Sequence, residues 1–161
     1  MDLLASGDLK GILDILSVLE ESEKAIAEFY RTCGEIWTER QEFWLGIERE
    51  EMKHINNLQK MKDIIARKPD RFEKGRPFNI MAAQTLIKGI ETNTAKVKAP
   101  EFRMANALFM ARDNEQSFIE SRYNEIVRTQ DIEYLTLVNE IVKDTVIHKT
   151  TIDREIGSIT N

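Results

Sequence analysis

Cysteine is nearly absent: Cys33 is the one thiol in 161 residues. That excludes an intrachain disulfide and any zinc or iron–sulfur site built on cysteines, so a redox metal here has to use oxygen and nitrogen ligands. Proline is scarce, with three residues, and glycine numbers only seven. Long stretches therefore lack a helix breaker, while Leu, Ile, Glu, Lys, Ala, Met and Arg are plentiful, which predicts an all-α fold. A basic excess is missing too: 23 Lys plus Arg against 28 Asp plus Glu leave a net charge of −5, not the electrostatic footprint of a nucleic-acid binder. No uninterrupted apolar run approaches membrane-spanning length, and Met1-Asp2-Leu3-Leu4-Ala5-Ser6-Gly7-Asp8 carries no basic stretch before an apolar core. These absences predict a soluble, cytoplasmic protein with neither nucleic-acid nor membrane partners. The length predicts a single domain over residues 1–161.

What is present is helical periodicity broken at a few polar positions. From Trp44 to Ile65 the stripe reads Trp44, Ile47, Glu51, His54, Leu58, Met61, Ile65, in alternating steps of three and four. A carboxylate and an imidazole thus occupy consecutive turns of a seam that is otherwise apolar. Burying an ionised carboxylate alone costs several kcal/mol, so Glu51 calls for a cation or for hydrogen-bond donors. A metal ion is one such partner.

The first helix is expected from about Asp8, with Gly7-Asp8 as its start signal, to Trp37. Its stripe runs Ile12, Leu16, Leu19, Glu23, Ile26, Tyr30, Cys33, Trp37. Thr38 and Gln41 have the spacing of a capping box for a second helix ending near Arg67, before Lys68-Pro69-Asp70. Arg71 to Pro77 reads as irregular connection, followed by a shorter helix over about Asn79–Lys98. A connection of roughly thirty residues suits a traverse of the bundle rather than a tight turn. A third long helix is expected from Pro100 to near Arg128, with the stripe Met104, Leu108, Ala111, Glu115, Phe118, continued by Ile119, Tyr123 and Ile126. The fourth runs over about Ile132–Ile156 with Tyr134, Val138, Ile141, Thr145, His148 and Ile152 on one stripe and Gly157 as its stop.

Aligning the polar interruptions exposes a repeat. Glu23 to His54 spans 54 − 23 = 31 residues and Glu115 to His148 spans 148 − 115 = 33. Glu28-Phe29-Tyr30 and Ser121-Arg122-Tyr123 fall at similar places after the two glutamates, so the halves read as degenerate copies of one helical hairpin. Together they aim three carboxylates and two imidazoles, the chain's only two histidines, at one level of a core. Such a donor set suits iron, manganese or zinc better than calcium or copper(I). The alternative is a set of buried carboxylates neutralised by Arg112 or Arg122, with both histidines satisfied in the core. Tyr30, Tyr123 and Tyr134 read first as core residues, and otherwise as donors to a ligating carboxylate or as radical-capable groups. Trp37 and Trp44 read as packing at the bundle end, and Cys33 as an inert core thiol.

The segments Glu23-Lys24-Ala25-Ile26-Ala27-Glu28-Phe29-Tyr30, Glu48-Arg49-Glu50-Glu51-Met52-Lys53-His54, Gly75-Arg76-Pro77-Phe78 and Asn114-Glu115-Gln116-Ser117-Phe118-Ile119-Glu120 resemble, in order and spacing, the rubrerythrin-like branch of the ferritin-like diiron-carboxylate superfamily. The resemblance spans nearly the whole chain. It implies a ferritin-like four-helix bundle with a long crossover, containing a short helix, between helices 2 and 3. It further implies a non-haem iron oxidoreductase acting on peroxide or dioxygen, with Glu23, Glu51 and Glu115 as carboxylate ligands, His54 and His148 as imidazole ligands, and a homodimeric assembly. Rubrerythrins proper carry an added four-cysteine iron domain. With one cysteine this chain has none, so electrons would come from an external donor.

One segment departs from the family pattern. Where a glutamate is expected three residues before His148 the chain has Thr145, with Asp144 beside it. Three glutamates set three negative charges against the four positive charges of two divalent ions, so the two-metal site is compromised. Asp144 is a candidate substitute, one methylene shorter and rotated about 100° around the helix. A one-ion site, a non-catalytic metal-binding bundle and a metal-free structural or interaction bundle are the alternatives.

Overall fold

The computed structural model describes residues 3–121 and 123–160, with side chains at 7–117 and 123–159. The side chains of Phe118 and Ile119, placed on the third stripe above, and Arg122, named as a counter-charge, lie outside the described residues. Among those described there are six helices and one small sheet: α1 Leu3–Ile36, α2 Gln41–Arg67, β1 Phe72–Lys74, α3 Ile80–Lys96, α4 Met104–Ser121, α5 Tyr123–Ile126, β2 Val127–Thr129 and α6 Ile132–Thr160. The chain is mostly helical, as the scarcity of breakers predicts.

The apolar stripes point inward. Ile12, Leu16, Leu19, Ile26, Tyr30 and Cys33 of α1 meet Trp44, Ile47, Leu58, Met61 and Ile65 of α2 in one core, joined by Leu108 and Ala111 of α4 and by Tyr134, Val138, Ile141 and Ile152 of α6. Helix α1 packs along α2 and α3, α2 along α6, α6 along α4, and α4 returns to α1. The four long helices therefore share one interior, with α3 laid on α1. None of the described helices is long and apolar enough to cross a membrane.

Two devices set the register of α2 against α6. Asp131 caps α6 by accepting from the Tyr134 amide at 3.0 Å, while its second oxygen receives Lys68 at 3.1 Å and Arg71 at 3.2 Å from the end of α2. The Tyr134 amide first, then Lys68 and Arg71, hold the Asp131 carboxyl below the usual range. Beside this pin, β1 pairs antiparallel with β2, Phe72 opposite Thr129 and Lys74 opposite Val127.

That sheet replaces two sequence expectations. Arg71–Pro77 is not wholly irregular, and helix gives way to strand after Ile126, two residues before Arg128, because pairing across the sheet satisfies backbone groups that neither segment could satisfy alone. Helix α4 also starts at Met104 rather than at Pro100, which lies in a turn. Gly7-Asp8 and Gly157 lie inside α1 and α6 instead of bounding them. A single glycine costs about 1 kcal/mol in a helix, too little to end one whose neighbouring turns are packed. Thr38 makes no side-chain cap: Thr38–Arg40 is a 3-10 turn, the Gln41 backbone N–H donates to the Thr38 carbonyl, and the Gln41 side-chain Nε2 donates to the Gly34 carbonyl at 3.3 Å. The short helix α3 does start at an Asn79 cap, whose side chain accepts from the Ala82 amide at 3.0 Å.

Gly75 closes the sheet. Its amide donates to the Ile126 carbonyl at 2.9 Å, and a Cβ there would stand 2.2 Å from the Glu125 carbonyl oxygen. Gly75→Ala is expected to cost about 1–3 kcal/mol in urea unfolding. Gly89→Ala, on the exposed side of α3 with nothing within 4 Å, is expected to add about 0.5–1 kcal/mol. Equal effects of the two substitutions would contradict the close approach at Gly75.

Candidate metal centre

Each of the four long helices brings ligand-type residues to one level. Glu23 comes from α1, Glu51 and His54 from successive turns of α2, Glu115 from α4 and His148 from α6. All five are buried, with 2, 1, 0, 2 and 5% of their surface exposed. Spacing on a stripe explains why: the apolar residues on either side carry these groups into the core with them.

Glu51 lies between the two histidines. Its Oε2 is 3.3 Å from His54 Nδ1 and its Oε1 is 3.1 Å from His148 Nδ1. Glu23 Oε2 stands 4.0 Å from His54 Nδ1, and Glu115 Oε2 stands 3.8 Å from His148 Nδ1. The imidazole rings stack with centroids 5.4 Å apart. One ligand atom from each of Glu51, His54 and His148 falls within 4.8 Å of the others. Glu23 and Glu115 flank this trio on opposite histidines.

The tyrosines close the arrangement reciprocally. Tyr30 of the first half donates to Oε1 of Glu115 in the second, and Tyr123 of the second donates to Glu23 Oε1 of the first at 3.0 Å. The repeat read from the sequence thus has a physical counterpart, each tyrosine serving the other half's glutamate. Arg112, offered as a counter-charge, sits over the Phe109 ring instead, 5.2 Å from its centroid.

Burial sets the electrostatics. Desolvation, then the charge of Glu51, pushes the Glu23 carboxyl well above the usual range and the Glu115 carboxyl up to about 7. Glu51 is pushed up by burial as well, but Glu23, His148 and His54 beside it outweigh that and hold it low. Burial lowers the histidines, yet their carboxylate partners prevail: His54 is raised by Glu51, and His148 is raised to about 10 by Glu115 and Glu51. Tyr30 and Tyr123 are driven well above the usual phenol range by burial first and then by the carboxylates beside them. A lowered Glu51 carboxyl between two raised imidazoles is the charge pattern that burial and contact impose on this cluster.

Asp144 stands outside the carboxylate group. With 32% of its side chain exposed, it approaches the other ring nitrogen of His54, Nε2, at 3.4 Å. Thr145 is buried and its hydroxyl donates to the Ile141 carbonyl of its own helix at 2.8 Å. The repeat's counterpart of Glu51 is therefore a group turned back on its helix. Sequence reasoning missed Glu20, buried on α1 three residues before Glu23, where Gln59 donates at 2.8 Å and Lys62 also donates. Its four-residue step from Leu16 was the available signal.

The donor set fits a divalent transition metal. His54 Nδ1 is buried without a hydrogen-bond partner, although two carboxylate oxygens lie at 3.3 and 4.0 Å. That nitrogen faces the two oxygens without a well-aligned hydrogen bond, and a cation placed among them would be coordinated where a proton is now only loosely shared. Its contact with Asp144 at Nε2 fixes the ring with Nδ1 turned inward.

The pH dependence follows with a definite sign. Glu23, Glu115, His54 and His148 all have raised values, so the stability they contribute is complete below their unfolded values, about 4.3 and 6.5. It is lost as pH rises through the folded values, about 7 for Glu115 and about 10 for His148. Glu51 acts oppositely, but only in acid. The urea midpoint of chelator-treated protein is expected to fall from about pH 6 to about pH 10. Saturating divalent metal, which takes the place of those protons, should flatten the fall. A midpoint that stays level without metal would contradict a proton-holding cluster. Against protein-family models, curated proteins and solved structures, no match to this chain is found.

Proposed function

We propose that this chain is a ferritin-like four-helix bundle of the rubrerythrin-like kind that binds a divalent transition metal, iron foremost and manganese or zinc otherwise. Its reaction is that of a non-haem iron oxidoreductase using peroxide or dioxygen, with electrons from an external donor. The observation that carries the metal-binding part is the meeting of buried Glu51, His54 and His148, one ligand atom of each within 4.8 Å of the others, at a His54 Nδ1 that makes no well-aligned hydrogen bond. The oxygen chemistry rests on the resemblance of the four motif segments.

In this reading Glu51, His54 and His148 hold the ion, and Glu23 and Glu115 complete the anionic surround. Bound iron supplies the redox and Lewis-acid chemistry. The chain's own contribution is orientation, exclusion of water and proton placement. Tyr30 and Tyr123 hold one oxygen each of Glu115 and Glu23, leaving the other oxygen of each toward the histidines. Ile47 and Leu58 on α2, with Ile26 on α1 and Ile141 and Ile152 on α6, are buried on the turns above and below and keep the cluster dry.

A second reading, a metal-binding bundle without oxygen chemistry, is favoured by Thr145. With its hydroxyl committed to Ile141, the chain lacks a carboxylate opposite Glu51, and one ion is the natural complement of the remaining set.

Anaerobic loading with ferrous iron followed by desalting and elemental analysis tests both. One iron per chain is expected, with a rise in melting temperature that chelator abolishes and that Glu51→Gln removes. At free metal about 100 times Kd the stabilisation should be about 2.7 kcal/mol. Thr145→Glu should move uptake toward two ions. Peroxide consumption by the loaded protein then separates the oxidoreductase from the metal-holding bundle. No uptake, with an unchanged melting temperature, would overturn both.

A further inference from the structure

We propose that the exposed face of α6 is the contact through which two copies of this chain associate, their α6 helices lying antiparallel across a two-fold axis at Val146 and Ile147. Such a contact is independent of metal binding and goes beyond that reading. Among the described residues eight large apolar side chains are exposed, and five of them fall singly along the chain. The other three, Val142, Val146 and Ile147, at 36, 49 and 49% exposure, sit within two turns of α6. Single exposed apolar residues are ordinary, whereas a cluster on one helix face marks a contact surface.

The charges around the cluster select the occupant. On a helix turning about 100° per residue, positions seven apart fall almost on one line along the axis. Asn139, Val146 and Asp153 form one such line and Glu140, Ile147 and Arg154 the line beside it, all six exposed. A two-fold axis between antiparallel helices sets each line against its own copy in reverse order. Val146 then meets Val146 of the second copy, and Ile147 meets Ile147. Glu140 faces Arg154 and Asn139 faces Asp153, each contact occurring twice. Lys143 falls opposite Thr150, whose hydroxyl is committed to the Val146 carbonyl at 3.1 Å, so the lysine stem packs on the threonine methyl. No ion pair within the chain engages Asp153 or Arg154 among the described residues. Glu140 accepts from Asn57 at 3.0 Å through Oε2, which leaves Oε1 for the contact. Parallel helices would instead set Glu140 on Glu140 and Arg154 on Arg154, which repel. An unrelated partner has no use for a face that reads as its own complement when reversed, and a second copy has. One helix pair buries several hundred Å² per copy, under the about 800 Å² of a standard interface, so the dimer is weak and depends on concentration. Ile147 neighbours Asp144 on the helix surface, three residues away, so the contact abuts a partly exposed side chain that touches His54 of the buried cluster.

Sedimentation equilibrium of the whole chain, chelator-treated and followed from low micromolar to near-millimolar concentration, measures the association without reference to iron. A monomer–dimer equilibrium is expected. Val146→Glu brings like charges together on the axis and should weaken it at least about ten-fold. Arg154→Glu and Glu140→Arg each put like charges into both symmetric contacts, so each alone should sediment as a monomer where wild type dimerises. Mixed in equal amounts, these two variants oppose unlike charges at every such contact, and the mixture should dimerise. Circular dichroism and melting check that each variant folds. Should Glu140→Arg, which also gives up the Asn57 hydrogen bond, fold poorly, Val146→Glu and Arg154→Glu decide. A wild type that stays monomeric throughout overturns the proposal and leaves the face to a different protein. Dimers that tolerate Val146→Glu and Arg154→Glu overturn it as well, by placing the contact elsewhere. Folded single variants that stay monomeric when mixed overturn the antiparallel register.

Discussion

The ionised carboxylate of Glu51, buried between two imidazoles, is the constraint on which the rest of the structure depends. Stripped of partners in a dry core it would cost several kcal/mol, yet its oxygens lie 3.3 and 3.1 Å from His54 and His148. Those partners come from its own helix and from α6, so the stabilisation exists only while α2 and α6 keep their register. A slip of one residue would turn His148 about 100° around its helix and leave Glu51 facing apolar side chains. The ends of the two helices accordingly carry a specific lock. Asp131 joins the cap of α6 to Lys68 and Arg71 at the end of α2, and the short pairing of Phe72–Lys74 with Val127–Thr129 holds the same two connections together. Features far from the cluster serve its geometry.

The second organising fact is an approximate two-fold relation and its single break. Glu23 with Tyr30 and Glu115 with Tyr123 are exchanged by it, each tyrosine crossing to the other half. His54 and His148 are exchanged as well, stacked against each other. Glu51 alone has no mate, because its counterpart Thr145 bonds to its own helix. The consequence is a charge distribution concentrated on one carboxylate, with both imidazoles raised by it. Two glutamates at the Glu51 level would repel each other without a second cation. A threonine rather than a carboxylate at position 145 thus spares the metal-free cluster that repulsion.

How much of this was legible in the sequence depends on whether a contact follows from one helix or from two. Glu23, Glu51, His54, Glu115 and His148 could be singled out because each breaks an apolar stripe on its own helix, a strictly local signal. The reciprocity of the tyrosines was half visible, as similar offsets after the two glutamates, 30 − 23 = 7 and 123 − 115 = 8. Which tyrosine reaches which glutamate was not, since it depends on how α1 and α4 face each other. The approach of Asp144 to His54 Nε2 was hidden for the same reason: it joins residues on different helices and needs the crossing geometry of α2 and α6. The β1–β2 pairing was illegible because each strand is three residues long and gains its hydrogen bonds from a partner more than fifty positions away. Helix ends were misjudged at Gly7-Asp8 and Gly157, where tertiary packing of the adjoining turns outweighs a weak local propensity.

Tyr30 belongs to two environments at once, and that fact connects the packing of the core to its chemistry. Its hydroxyl holds Glu115, while its ring is part of the aromatic packing around Trp44, with Phe29 edge-on at 5.9 Å. The end of the core toward the α1–α2 connection is aromatic: Phe29, Tyr30, Trp37, Phe43 and Trp44 pack there. On the far side of the cluster Leu16, Leu19, Leu58, Met61, Ile64 and Ile65 are buried, with a single ring pair, Phe72 and Tyr134, 5.1 Å apart. Aliphatic side chains would fill the first end equally well as far as burial is concerned, since apolar area is stabilising whatever its chemistry. What the rings add is rigidity, through few rotatable bonds and fixed edge contacts. They hold the Tyr30 hydroxyl, and through it the Glu115 carboxylate, in a definite position without a charged partner. The asymmetry of the core, richer in rings on the side of Tyr30 than on the other, is therefore a property of the site as much as of the fold.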